Sequence, residues 1–157
     1  MKGNIVKFVI SLLLCQFTGF LGSLFTKTSV QSWYRTIEKP TFNPPDYLFA
    51  PVWTILFILM GISFFLVWKN NDKPEEKTFA VMLFLFHLVV NISWSAVFFW
   101  MQSITGGFFV ILFLLAMILL LIMYFRDFSA MASILLVPYF LWVSFAAILN
   151  YSIMVLN

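Results

Sequence analysis

Five long apolar stretches divide the chain, and shorter polar segments separate them. A helix that crosses a bilayer needs about 20 predominantly apolar residues. The runs Ile5–Phe25, Tyr47–Trp68, Thr78–Met101, Gly107–Phe125 and Ala130–Leu156 all meet that length. Lys7 interrupts only the start of the first, where a lysine stem can carry its ammonium to the headgroups. The pattern predicts an all-α polytopic membrane protein, a bundle of five transmembrane helices forming one domain over 1–157. The connections are Thr26–Asp46, Lys69–Lys77, Gln102–Gly106 and Arg126–Ser129. The first run is too long for a signal-peptide core, and Leu12-Leu13-Leu14-Cys15 lacks the small residues of a cleavage site, so it is expected to stay as a span.

Composition agrees with lipid as the solvent. The 157 residues are 63% hydrophobic, 20% aromatic and 10% charged, where soluble domains carry about 45–50% apolar and about 25% charged residues. A net charge of +3 rests on few side chains and implies no nucleic-acid partner. The one cysteine, Cys15, excludes an internal disulfide and reads as a small packing residue. Alternate sides of the membrane carry six basic residues (Lys2, Lys7, Lys69, Lys73, Lys77, Arg126) against three (Lys27, Arg35, Lys39). Basic residues favour the cytoplasmic side, so the amino terminus is expected there, in a cell membrane of bacterial type.

Several features depart from plain packing. The first connection is long and holds Pro40, Pro44 and Pro45, which forbid a regular helix through its second half. Its aromatics Trp33, Tyr34 and Phe42 fit either an interfacial belt or a lid over a cavity; the lid reading, favoured here, takes Trp33, Lys39, Pro40, Phe42, Pro44 and Pro45. The third span carries His87, Asn91, Ser95 and Phe98 on one helical face, with Trp94 beside them. Polar groups at membrane depth need partners. For His87 an interhelical hydrogen bond is preferred over haem ligation, since no second histidine and no Cys-x-x-Cys-His motif accompany it. The fifth span places Pro138, Trp142, Ala146 and Asn150 four residues apart, and Pro138 should free a carbonyl and kink the helix beside Trp142. Ser11, Cys15, Gly19 and Ser23 form a small-residue face on the first span.

The tryptophans sort by depth. Trp33, Trp68 and Trp100 sit at span ends, where belt placement is the default, while Trp53, Trp94 and Trp142 lie inside. Interior indoles with aligned polar groups describe an aromatic cavity. Paired carboxylates, a metal-ligand cluster, an activated nucleophile and a phosphate loop are all missing from the sequence, so no metal and no obligatory cofactor is expected.

The run Trp33-Tyr34-x-x-x-Glu38-Lys39-Pro40-x-Phe42-x-Pro44-Pro45, then Pro51-Val52-Trp53-Thr54, resembles the first loop and second helix of the translocator protein (TspO/MBR) family, the tryptophan-rich sensory proteins or peripheral-type benzodiazepine receptors. Asn91-x-x-Trp94-Ser95-x-x-Phe98-Phe99 is similar to its third helix, and Pro138-Tyr139-x-x-Trp142-x-x-Phe145-Ala146-x-x-Leu149-Asn150 to its fifth. The resemblance implies a membrane receptor or sensor, homodimeric, that binds protoporphyrin-type tetrapyrroles and drug-like isoquinoline or benzodiazepine aromatics. The implied ligand positions are Tyr34, Trp53, Phe57, Asn91, Trp94, Phe98, Trp142 and Ala146. It also leaves two alternatives: light- and oxygen-dependent degradation of the porphyrin, with Trp53 and Trp142 as catalytic candidates, or transport of porphyrin or lipid. Two departures bear on pocket shape: His87 stands where many members have glutamine, and Ala96 where many have proline. No basic residue follows Tyr151, so the sterol pattern is incomplete and sterol is not expected.

Overall fold

The computed structural model describes residues 2–70 and 73–157, with side chains from Gly3 onward. The predicted connection Lys69–Lys77 therefore lies partly outside the described residues, at Asn71 and Asp72. The described chain is helical, with α1 over Lys2–Ser29, a single turn α2 over Trp33–Thr36, and α3 over Asp46–Trp68. α4 covers Pro74–Ser95 and continues as a π turn over Ala96–Trp100; α5 spans Ile104–Arg126 and α6 Ala130–Leu156.

The five long helices match the five apolar runs, and all are long and apolar enough to cross a bilayer. α6 has the bounds expected from the sequence, whereas α1, α4 and α5 run past the apolar stretches. Helical bonding continues into polar flanks because each backbone group still needs a partner at the edge of the hydrocarbon. Local chemistry sets the starts. Pro74 occupies the first turn of α4, where its missing N–H costs nothing. Ser103 and Ser129 cap α5 and α6 by accepting from Gly106 N at 3.1 Å and Ala132 N at 3.3 Å. Lys7 reaches the end of α3, donating to the Trp68 carbonyl at 3.3 Å, so its ammonium meets the negative end of that helix.

The helices close a ring in the order α1, α3, α6, α5, α4. Lipid is as apolar as leucine, so this ring is held by close packing and interhelical hydrogen bonds. Gly61 of α3 lies so near α1 that a Cβ there would meet the Leu12 backbone at 3.0 Å. Ser11 and Cys15 are fully buried on the same stretch of α1, in agreement with a small-residue face. The half of the bundle away from the long loop is filled: Phe64 stacks on Phe84 at 4.4 Å, Phe84 on Phe125 at 5.8 Å, and Ser63 Oγ donates to the Ala132 carbonyl at 2.7 Å. Large apolar side chains such as Leu13, Phe17, Phe86, Phe113 and Leu141 face outward, as an integral membrane protein requires.

Candidate functional site

The other half of the bundle encloses a cavity of about 510 Å³, within the range of ligand sites. Tyr34, Trp53, Phe57, Asn91, Trp94, Phe98, Trp142 and Ala146, the positions singled out in the sequence, all line it. α3 contributes Trp53, stacked on Phe57 at 5.5 Å. α4 contributes Asn91 and Trp94, and Trp94 stacks on Phe98 at 5.4 Å with the rings 21° apart. α6 contributes Trp142, which meets Phe49 and Phe145 at 6.0 and 5.6 Å. α6 passes through Pro138 without a break.

The π turn alters the phase expected for α4. Met101 N donates to the Ala96 carbonyl at 2.9 Å, five residues back, which inserts one residue into the helical repeat. Consecutive Phe98 and Phe99 both become buried, and both pack on Tyr34, at 6.2 and 5.5 Å. Ser29 Oγ donates to the Phe99 carbonyl and ties the end of α1 to this turn.

The long loop closes the cavity with Tyr34, which is 5% exposed, while Val30 and Asp46 stand at its ends. None of Trp33, Lys39, Pro40, Phe42, Pro44 and Pro45 touches the cavity. Trp33, Phe42 and Lys39 form a layer behind: Trp33 packs on Phe98 at 5.7 Å, Phe42 on Phe145 at 6.4 Å, and the Lys39 ammonium lies 4.6 Å above the Tyr34 ring. Trp33 is thus packed inward, whereas Trp100 is 62% exposed at the rim. Tyr34 Oη donates to Asn43 Oδ1 at 3.2 Å. Burial, with a smaller contribution from the nearby Asp46 carboxylate, pushes the Tyr34 phenol up to about 12. The loop is pinned to α6 by Asn157, whose amide accepts from Glu38 N and donates to Glu38 O, each at 3.0 Å.

Several lining residues were not among the expected ligand positions. Asn150 accepts from Trp94 Nε1 at 3.4 Å and donates to the Ile104 carbonyl at 2.9 Å, joining three helices. Its four-residue spacing from Ala146 was the available signal. Gly19 and Gly22 shape the α1 wall; a Cβ on Gly19 would run into the Phe57 ring at 2.6 Å. Gln16, Phe20, Ala50 and Thr54 line the side between α1 and α3, where Gln16 Nε2 donates to the Thr54 carbonyl at 3.2 Å. Gln16 and Phe20 also border a groove on the outer face of α1.

His87 does not line the cavity. It is fully buried beneath it, hydrogen-bonded to the Phe84 carbonyl at 3.0 Å and to Tyr139 Oη at 3.1 Å, as an interhelical polar contact should be. Among the described residues no group of three or more His, Cys, Asp or Glu could hold a metal ion. Among the same residues, Trp142 Nε1 is the buried side-chain polar atom left without a partner.

A five-helix membrane bundle with an indole-lined cavity under a structured loop belongs to the class of polytopic proteins with an intramembrane cavity. Comparison with known proteins is specific: the model of the TspO/MBR family matches residues 11–156, and the chain belongs to that family. It is 45% identical to the tryptophan-rich protein TspO of Chlorobaculum tepidum, over 100% of this chain and 99% of that one. It is 43% identical to the protein of the same name from Archaeoglobus fulgidus, over 98% and 99% of the two chains. The translocator protein of Ovis aries is 33% identical over 85% of this chain and 79% of its own.

Proposed function

We propose that this protein is a membrane receptor that binds a planar aromatic ligand, a protoporphyrin-type tetrapyrrole or a drug-like isoquinoline or benzodiazepine, inside the bundle. The observation that carries the reading is the meeting of Trp53, Trp94 and Trp142 around one cavity of about 510 Å³. Indole and phenyl faces stack on flat apolar rings. Asn91 and the unpartnered Trp142 N–H give polar contact at fixed points, and Lys27 at the mouth suits an acidic substituent such as a propionate. No charged residue is buried among the described ones, which argues against an ion-coupled pump. A homodimer and an amino terminus in the cytoplasm complete the proposal.

Degradation of the bound porphyrin in light and oxygen is the alternative that the placement of Trp53 and Trp142 at the cavity wall keeps in view. The porphyrin would act as sensitiser and those indoles would act as electron donors. An absorbance titration of the purified protein with protoporphyrin IX, first dark and then illuminated, separates the readings. Saturable binding with a stable spectrum is the receptor's outcome. Protein-dependent bleaching that disappears when Trp53 and Trp142 are replaced by phenylalanine is the enzyme's. Absence of saturable binding refutes the tetrapyrrole as ligand and as substrate.

A further inference from the structure

Beneath the cavity lies a hydrogen-bond chain whose direction is fixed from one end. Nδ1 of His87 faces the Phe84 carbonyl at 3.0 Å. A carbonyl can only accept, so Nδ1 carries the proton. The imidazole is fully enclosed, with no carboxylate among its hydrogen-bond partners, and a charge at that depth is costly. It is neutral, and its Nε2 is therefore an acceptor. Tyr139 Oη, 3.1 Å away, must donate to it. Having spent its one proton, the phenol can only accept from Asn91, whose amide reaches it at 2.8 Å. The amide therefore turns its nitrogen to Tyr139. Asn91 lines the cavity, and its Oδ1 has no partner among the described residues. That oxygen is also not an enclosed orphan, so it is the group offered to an occupant.

We propose that His87, without touching the ligand, fixes the cavity floor as a hydrogen-bond acceptor through Tyr139 and Asn91, and so selects ligands that present an N–H or O–H there. The proposal rests on the receptor reading and refines it. An asparagine free to turn over would serve donors and acceptors alike. Here only one orientation leaves every member of the chain satisfied, and a reversed amide would set two acceptors, Asn91 Oδ1 and Tyr139 Oη, against each other. Neither His87 nor Tyr139 lines the cavity, so they act as positioning residues.

Two measurements test this. The chain has a single histidine, so 15N NMR of the imidazole in the intact protein reads His87 alone: Nδ1 protonated and Nε2 bare is the expected tautomer. The opposite tautomer overturns the relay whether or not any ligand binds. The second compares binding of a secondary isoquinoline carboxamide with its N-methyl tertiary counterpart. One neutral hydrogen bond of about 1 kcal/mol corresponds to a preference of about fivefold for the N–H form in the wild type. His87→Leu leaves Tyr139 free to donate to Asn91 and turn the amide, and Tyr139→Phe releases it; in both, the preference is expected to fall to one or to reverse. A purely structural role would weaken both probes together and keep the ratio, which would overturn the proposal. So would a wild type that does not discriminate. If the wild type binds neither probe, the selectivity claim falls with the receptor reading, while the tautomer still decides the relay.

Discussion

Trp142 illustrates what one residue contributes at membrane depth. It gains nothing from headgroups there, and its N–H lies buried beside the cavity without a partner. Trp142→Phe keeps an apolar ring but loses area and the donor, so porphyrin or drug binding should weaken by about 1–3 kcal/mol. Titrations of the same change at Trp100, exposed at the rim, should show little difference. Equal losses at both would mean that the tryptophans act through stability. Tyr34 offers a second test, because its phenol is pushed up to about 12 from an ordinary 10. Below pH 10 folded and unfolded states both hold the proton, and nothing changes. Above it the unfolded state loses the proton first, so the seated loop should lose about 1.4 kcal/mol per pH unit until about 12. A phenolate absorbance difference between wild type and Tyr34→Phe should show a late step near 12. A step at 10 would mean that Tyr34 is not enclosed.

Among the elements, the long loop and the π turn decide the shape of the site. Proline content shows that the loop's second half is not helical, and Pro40, Pro44 and Pro45 do lie outside the helices. What hydropathy could not show is that the side chain closing the cavity is Tyr34, with Trp33 and Phe42 packed behind it. The pin between Asn157 and Glu38 holds this layer on α6. Asn157→Leu removes both hydrogen bonds, so ligand dissociation followed by stopped flow should accelerate about tenfold while the far-ultraviolet helical signal is unchanged. An unaltered off-rate would mean that ligand exchange does not pass the loop. The wall at Gln16 and Phe20, which separates the cavity from the groove on the outer face of α1, is the route such a result would favour.

In the whole molecule the helices are arranged so that the end away from the loop is solid and the loop end is hollow. Solid packing around Phe64, Phe84 and Phe125 gives the cavity a rigid base, as preorganised binding sites need. Orientation in the bilayer is expected to follow the basic residues: six on the side of the amino terminus and three on the loop side. Reporter fusions at the two ends should be active in the cytoplasm at the amino terminus and outside at the carboxyl terminus. The reverse pattern would put the loop and cavity mouth toward the cytoplasm.

Five spans, their order and their approximate ends follow from hydropathy alone, because a bilayer accepts only segments that satisfy their own backbone and present apolar side chains. Helical phase was enough to group His87, Asn91, Ser95 and Phe98, and Trp142 with Ala146, because side chains four apart share a face. It did not separate them by role. Asn91 and His87 look alike in sequence, one turn apart, yet one lines the cavity and the other lies sealed under it against Tyr139. The π turn after Ser95 was invisible because its cause is tertiary: Phe98 and Phe99 both pack on Tyr34, and the Phe99 carbonyl accepts from Ser29. Periodicity reports which face of a helix is apolar. Which neighbour fills that face, and where packing stops and leaves a void, is decided only when five helices are brought together.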